Sequence, residues 1–164
     1  MLSAGPGVIR HSHRCNGPGV TVHRVEPEIH HVRVRVREQE TTAELLLSVT
    51  TDPGERRMRL SIRCELGEWS GHGEDIFSAL RSLMRDLEHD CGRIGVEGAR
   101  PNAWASGMQR DMGVGRSVYI LSLPRSPERP PSAQTLDPAP LDEVGTTADQ
   151  DEFQRLWMPS SNEL

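Results

Sequence analysis

Three stretches of this chain alternate apolar and polar residues with a period of two, and no other feature restricts its fold as tightly. In VRVRVR (residues 32–37) three valines point one way and three arginines the other. In AELLLSVT (residues 43–50) Leu45, Leu47 and Val49 form a row. In MRLSIRCEL (residues 58–66) Met58, Leu60, Ile62, Cys64 and Leu66 share a face. Successive side chains of a strand leave opposite faces of a sheet, so these runs read as half-buried strands with one apolar and one solvated side. Asp52, Pro53 and Gly54 supply turn chemistry between the second and third runs. A three-stranded meander with one apolar face is expected.

The period then changes. Ile76, Phe77, Leu80, Leu83, Met84 and Leu87 recur at the spacing of one helix face. Glu74 and Asp75 suit the positive end of that helix, and Gly92 is placed to end it in a left-handed conformation. A short strand is expected at residues 93–97, and SVYILSL (residues 117–123) reads as the last clear strand. The order β-β-β-α-β-β predicts an α+β fold: an antiparallel sheet of about five strands with one long helix on its apolar face. Proline recurs too densely in PRSPERPPSAQ for a helix or a central strand, so residues 124–140 read as a Pro-rich linker. TTADQDEFQRLWM predicts a short C-terminal helix, with Thr147 and Gln150 as a capping box and Phe153, Leu156 and Trp157 as an apolar edge. That helix would fold over a sheet edge through Trp157. The expected organisation is a disordered segment at residues 1–27, one α+β domain at 28–123, the linker, and an acidic segment with the short helix at 141–164.

Charge and cysteine usage narrow the function. All 19 basic residues are arginine, so an isolated arginine carries little information. Residues 32–124 are nearly neutral, whereas residues 125–164 carry three arginines and eight acids. The broad positive field that nucleic-acid binding needs is missing, and a basic partner suits the acidic tail better. Cys15, Cys64 and Cys91 are odd in number and lack C-x-x-C spacing, so neither a disulfide scaffold nor a zinc ribbon follows. No apolar run reaches about 20 residues, which predicts no membrane span. With no secretory signal legible either, cytoplasmic placement is expected.

The densest mixture of chemistry lies in NAWASGMQRDMGVGRSVYI (residues 102–120). Arg100, Arg110 and Arg116 offer planar cationic forks, Asn102 and Ser106 add neutral hydrogen-bonding groups, and Asp111 can orient an arginine. Together they predict a pocket for an anionic ligand. The glycine spacing matches neither a Walker loop nor a dinucleotide fingerprint. The competing reading makes this a structural connection, with Arg110 and Asp111 paired and Trp104, Met108 and Met112 filling the core.

The stretch GARPNAWASGMQRDMGVGRSVYIL, together with LDPAP and DEFQRLWM, resembles a group of small bacterial proteins. These share an SGM-x-RDMG-x-G loop followed by a Val-Tyr strand. The resemblance covers roughly the second half of the chain and implies a shared fold and loop; it supplies no activity. Where the group usually has GGG, this chain has GVG, with Val114 in the middle.

Other constellations are weaker. His11, His13 and Cys15 have metal-ligand spacing but no fourth ligand, so no metal site and no cofactor are expected. Arg33, Arg35, Arg37, Arg59 and Arg63 form an arginine face beside Glu44 and Glu65, without the aromatics that single-stranded nucleic acid stacks on. Ser106 lies outside any GxSxG elbow, and no catalytic residue stands out. The expected function is a non-catalytic protein-interaction module, immunity-like or accessory, contacting its partner through Phe153 and Trp157. The alternative is a domain, enzymatic or not, that binds an anionic ligand through the 102–116 loop.

Overall fold

A computed structural model of the chain describes residues 26–52 and 55–158. Strands β1 (Glu28–Val36), β2 (Gln39–Asp52), β3 (Glu55–Cys64) and β4 (Gly67–Gly73) follow one another as antiparallel hairpins. Helix α1 (Ile76–His89) then carries the chain across their apolar face, and β5 (Gly92–Gly95) pairs with the free side of β1. The sheet order is β4-β3-β2-β1-β5. Val32, Val34, Leu45, Leu47, Leu60 and Ile62 meet Ile76, Leu80, Leu83 and Leu87 in one core. Each such side chain contributes about 1.5–3 kcal/mol on leaving water.

The expected α+β class holds: five antiparallel strands, one long helix and a short terminal helix. One strand has a different identity. β4, which precedes α1, completes the sheet, while residues 117–120 belong to a second sheet. That sheet contains β6 (Ala103–Trp104), β7 (Ser117–Ile120) and β8 (Ser132–Gln134) in the order β6-β7-β8. The sequence GEWSGHG hides β4 because α1 lies almost directly on its backbone. A Cβ at Gly71 would stand 2.1 Å from the amide nitrogen of Leu83 and 2.3 Å from the carbonyl oxygen of Ala79. The acids of α1 and its end hold this strand in place. Trp69 Nε1 donates to Asp90 at 2.9 Å, and the Ser70 amide donates to Asp86 at 2.9 Å.

At the end of α1 the left-handed residue is Cys91 (φ 57°), and Gly92 already begins β5. Gly92 is required there for space, since a Cβ would lie 2.8 Å from the Leu87 carbonyl oxygen.

The Pro-rich stretch is part of the domain from β8 onward. Thr135, Leu136, Ala139 and Leu141 are buried, and Val96 bridges Pro138. Proline is tolerated here because its neighbours make the bonds: Ala139 donates to Gly95, and Asp137 accepts from Glu97.

Helix α3 (Thr147–Trp157) is capped one residue earlier than expected, by Thr146 and Asp149. This frees Thr147 and Gln150 to anchor it. Thr147 donates through its amide and hydroxyl to Glu88 at 2.7 and 3.0 Å. The Gln150 amide donates to the Gly98 and Arg100 carbonyls at 2.7 and 3.0 Å. The helix therefore sits against α1 and against β6, the edge strand of the second sheet, as expected of a helix over a sheet edge, but its anchors are Thr147 and Gln150 rather than Trp157. Its apolar edge stays half open, with Phe153 and Trp157 half-buried and Leu156 exposed.

Among the described residues no helix is long and apolar enough to cross a membrane. Three sequence readings fall outside the described residues: the disordered segment as far as residue 25, the His11, His13 and Cys15 cluster, and the turn at Pro53 and Gly54.

Candidate functional site

The loop between β6 and β7 is ordered by its own side chains. Ser106 starts a single turn of helix, α2 (Gly107–Asp111). Its hydroxyl accepts from the Gln109 amide, while the Gln109 side chain accepts from the Ser106 amide, a reciprocal cap. The Gln109 side chain also donates to the Ser117 hydroxyl at 3.3 Å, tying α2 to β7. None of the five residues of α2 is buried. Met108 is 73% exposed and Met112, just after the helix, 81%. Of the three side chains expected to fill the core, only Trp104 packs, meeting Phe77 edge-on at 5.7 Å. The methionines point outward because polar contacts hold α2 on its other side.

The chain then wraps the start of α1. Val114 and Gly115 both have positive φ, 55° and 69°. The Ile76 amide donates to the Val114 carbonyl at 2.9 Å. A Cβ at Gly115 would lie 2.6 Å from an Asp75 carboxylate oxygen, so only glycine fits without displacement.

Asp75 is the centre of this arrangement. It is buried, caps α1 by accepting from the Ser78 amide and hydroxyl at 2.9 and 2.7 Å, and accepts from Arg110 Nε at 3.0 Å. Arg110 also donates to the Ser78 hydroxyl at 2.6 Å. The partner of Arg110 is thus Asp75, not its neighbour Asp111, whose exposed side chain faces solvent.

The other expected ligand residues go elsewhere. Arg100 pairs with Glu97 and Glu143, which raise its pKa further above the ordinary arginine value, the Glu97 hydrogen bond contributing most. The Asn102 amide donates to the Leu121 carbonyl at 2.8 Å. Arg116 pairs with Glu28 at 3.1 Å. Arg100, Arg110 and Arg116 therefore serve four different carboxylates between them and do not converge on one cavity. Arg110 and Asp111 line an open groove of about 850 Å³, together with Arg56, Arg57, His72 and Glu74. Arg116 faces a separate cavity of about 130 Å³, beside Glu28, His30 and Asp137. The groove's far wall was not legible in the sequence, because it comes from the β2–β3 hairpin and β4.

Arg116 holds the Glu28 carboxyl below the usual carboxylate range, mainly through its hydrogen bond. The pair therefore stabilises above the ordinary glutamate pKa, and its contribution is lost as pH falls through the lowered folded value. With side chains 41% and 55% exposed, screening limits this to about half a kcal/mol. Arg116→Ala is expected to remove that share of the pH dependence of stability between about pH 5 and 3. Urea unfolding at both pH values checks it, and an unchanged slope would count against the pair.

Three of the five arginines on the arginine face of the sheet are ion-paired. Arg33 and Arg35 share Glu40, and Arg63 pairs with Glu68 at 2.9 Å. The expected partners Glu44 and Glu65 are not the ones used, and Glu65 accepts from the Thr41 hydroxyl instead. Among the described residues no group of three or more His, Cys, Asp or Glu is arranged to hold a metal ion. No family model matches the chain, and no curated protein matches it significantly.

Proposed function

We propose that this chain is a non-catalytic protein-binding module, of the immunity or accessory kind, that meets its partner with α2 and the groove beside it. The observation that carries this reading is the pair Met108 and Met112, 73% and 81% exposed on a turn that buries nothing. An apolar pair held outward costs solvation in the free protein, while the reciprocal cap and the Arg110–Asp75 bond fix its position. Fixed, adaptable methionine side chains beside a polar groove are what a protein interface uses. The anionic-ligand alternative has less support, since Arg100, Arg110 and Arg116 already have carboxylate partners. A reducing, cytoplasmic setting, in which the free thiols of Cys64 and Cys91 persist, fits the same reading.

The test is co-expression with the products of the neighbouring genes, followed by calorimetric titration of any complex. A one-to-one complex is expected. Met108→Glu with Met112→Glu should weaken it about tenfold or more, with the melting temperature unchanged because neither side chain is packed. A complex that forms equally well with both glutamates present would overturn the reading.

A further inference from the structure

We propose that the rings of Trp157 and Tyr119 form a docking surface for arginine side chains of a protein partner, and that the chain's own Arg125 and Arg129 occupy those rings beforehand. This rests on the protein-binding reading above and adds the chemistry of the partner.

The surface is built around residues 122–129, all of them exposed. The Arg125 guanidinium carbon lies 4.2 Å from the centroid of the Trp157 ring. That of Arg129 lies 5.4 Å from the Tyr119 ring, and its Nη2 donates to the Tyr119 hydroxyl at 2.7 Å. Both distances fall within the reach of cation–π attraction, about 6 Å. Arg100, Arg110 and Arg116 each have a carboxylate, but among the described residues Arg125 and Arg129 pair with none. The Arg125 guanidinium is held by the Trp157 ring and that of Arg129 by the Tyr119 ring and its hydroxyl, on an exposed stretch of backbone, where such contacts exchange with equivalent ones.

The two rings are linked by one exposed stretch of chain. Arg125 and Arg129 are four residues apart, so roughly 14 Å of extended backbone is the most that separates them. Ser117 and Tyr119 share a face of β7, and Ser117 holds Gln109 of α2. The patch therefore reaches α2 at Gln109, on the side opposite the outward-pointing Met108 and Met112.

Charge selects the occupant. Residues 125–164 carry three arginines against eight acids, and of these Glu128, Asp137 and Asp142 are exposed and have no ion-pair partner among the described residues. Such a field draws cationic segments, and planar guanidinium stacks on rings better than ammonium does. A partner presenting arginines replaces Arg125 and Arg129 on the rings and leaves those two free to pair elsewhere.

The test uses the full chain and a labelled hexaarginine peptide at about 150 mM salt, with hexalysine and hexaglutamate beside it. Hexaarginine is expected to bind more tightly than hexalysine, and hexaglutamate not to bind. Arg125→Ala with Arg129→Ala should tighten hexaarginine about two- to fivefold per ring released. Arg155→Ala, on α3 but stacked on no ring, gives the tightening per positive charge removed, with Glu152 uncovered as well, and the double variant is compared with it charge for charge. Trp157→Leu with Tyr119→Leu should abolish the preference for arginine, and Trp157→Phe with Tyr119→Phe should keep it. Should the leucine variant fold poorly, the comparison of Arg125 and Arg129 with Arg155 decides alone, because it alters only exposed side chains. Absence of hexaarginine binding, equal affinity in the leucine variant, or equal tightening per charge by Arg155→Ala would each overturn the proposal. A natural complex that needs Met108 and Met112 but not Trp157 and Tyr119 would sink this inference and leave the protein-binding reading standing.

Discussion

Replacing Asp75 with alanine is expected to lower the free energy of unfolding by about 3 kcal/mol, more than any other single change around the loop. Loss of the helix cap accounts for about 1 kcal/mol of this. The remainder comes from stranding the groups that Asp75 receives, the Ser78 hydroxyl and Arg110 Nε. Removing one partner of a buried ion pair costs about 3–5 kcal/mol, but the Arg110 side chain is 43% exposed and water can take it back, so this share falls below that range, at about 2 kcal/mol. Arg110→Ala should cost about 1 kcal/mol, because Asp75 keeps both Ser78 donors. Asp75→Asn, which retains a capping oxygen, should fall between the two. Urea unfolding with unchanged slope measures all three. Equal losses from Asp75→Ala and Arg110→Ala would mean that Asp75 does nothing beyond pairing.

Gly71→Ala is expected to cost about 3 kcal/mol or more, or to prevent folding. The added methyl would meet backbone atoms of α1 at 2.1 and 2.3 Å, and backbone in the middle of a helix cannot step aside as a flexible side chain does. The only relief is to lift α1 from β4, which opens the core around Leu80 and Leu83. Gly107→Ala is the matched control: a Cβ there meets nothing within 4 Å, and the residue is the first of α2. It should change stability by no more than about 0.5 kcal/mol. Thermal melts followed by circular dichroism distinguish the two. Similar melting temperatures would mean that the contact between α1 and β4 is looser than these distances imply.

The same contact explains which parts of the fold can be read from the residues. β1, β2, β3 and α1 are legible because each buries one face of ordinary side chains, and burial writes a period of two or 3.6 into the sequence. β4 buries backbone instead of side chains, so its requirement is glycine at Gly71 and Gly73, and glycine reads as a turn. Only Trp69 betrays it. In the candidate site the acid at the start of α1 is visible, whereas Ser106 as the cap of α2 is not, because so short a helix writes no period into the sequence. The pairings are not visible either, since Arg110 finds Asp75 35 positions away and Arg116 finds Glu28 88 positions away. Adjacency in sequence favoured Asp111 for Arg110, whereas the helix start offered a buried carboxylate in greater need of a counter-charge. Met108 and Met112 show the opposite case: hydrophobicity alone assigned them inward, although a five-residue turn tied by polar contacts had no apolar neighbour to give them.

The sheet order also bears on the chain during its synthesis. Every pairing in the five-stranded sheet is a hairpin except that of β1 with β5, which joins residues from 56 (Val36 with Gly92) to 62 (Arg33 with Gly95) positions apart. Until residue 92 has left the ribosome, β1 has one complete row of backbone donors and acceptors with no neighbour. That is the kind of border along which separate chains add to one another. Arg33 and Arg35 stand along it, on the side of the strand that stays wet after folding. Their charges make the border a poor template for a second chain throughout that interval, so the arginines of VRVRVR act before the fold exists as well as after it.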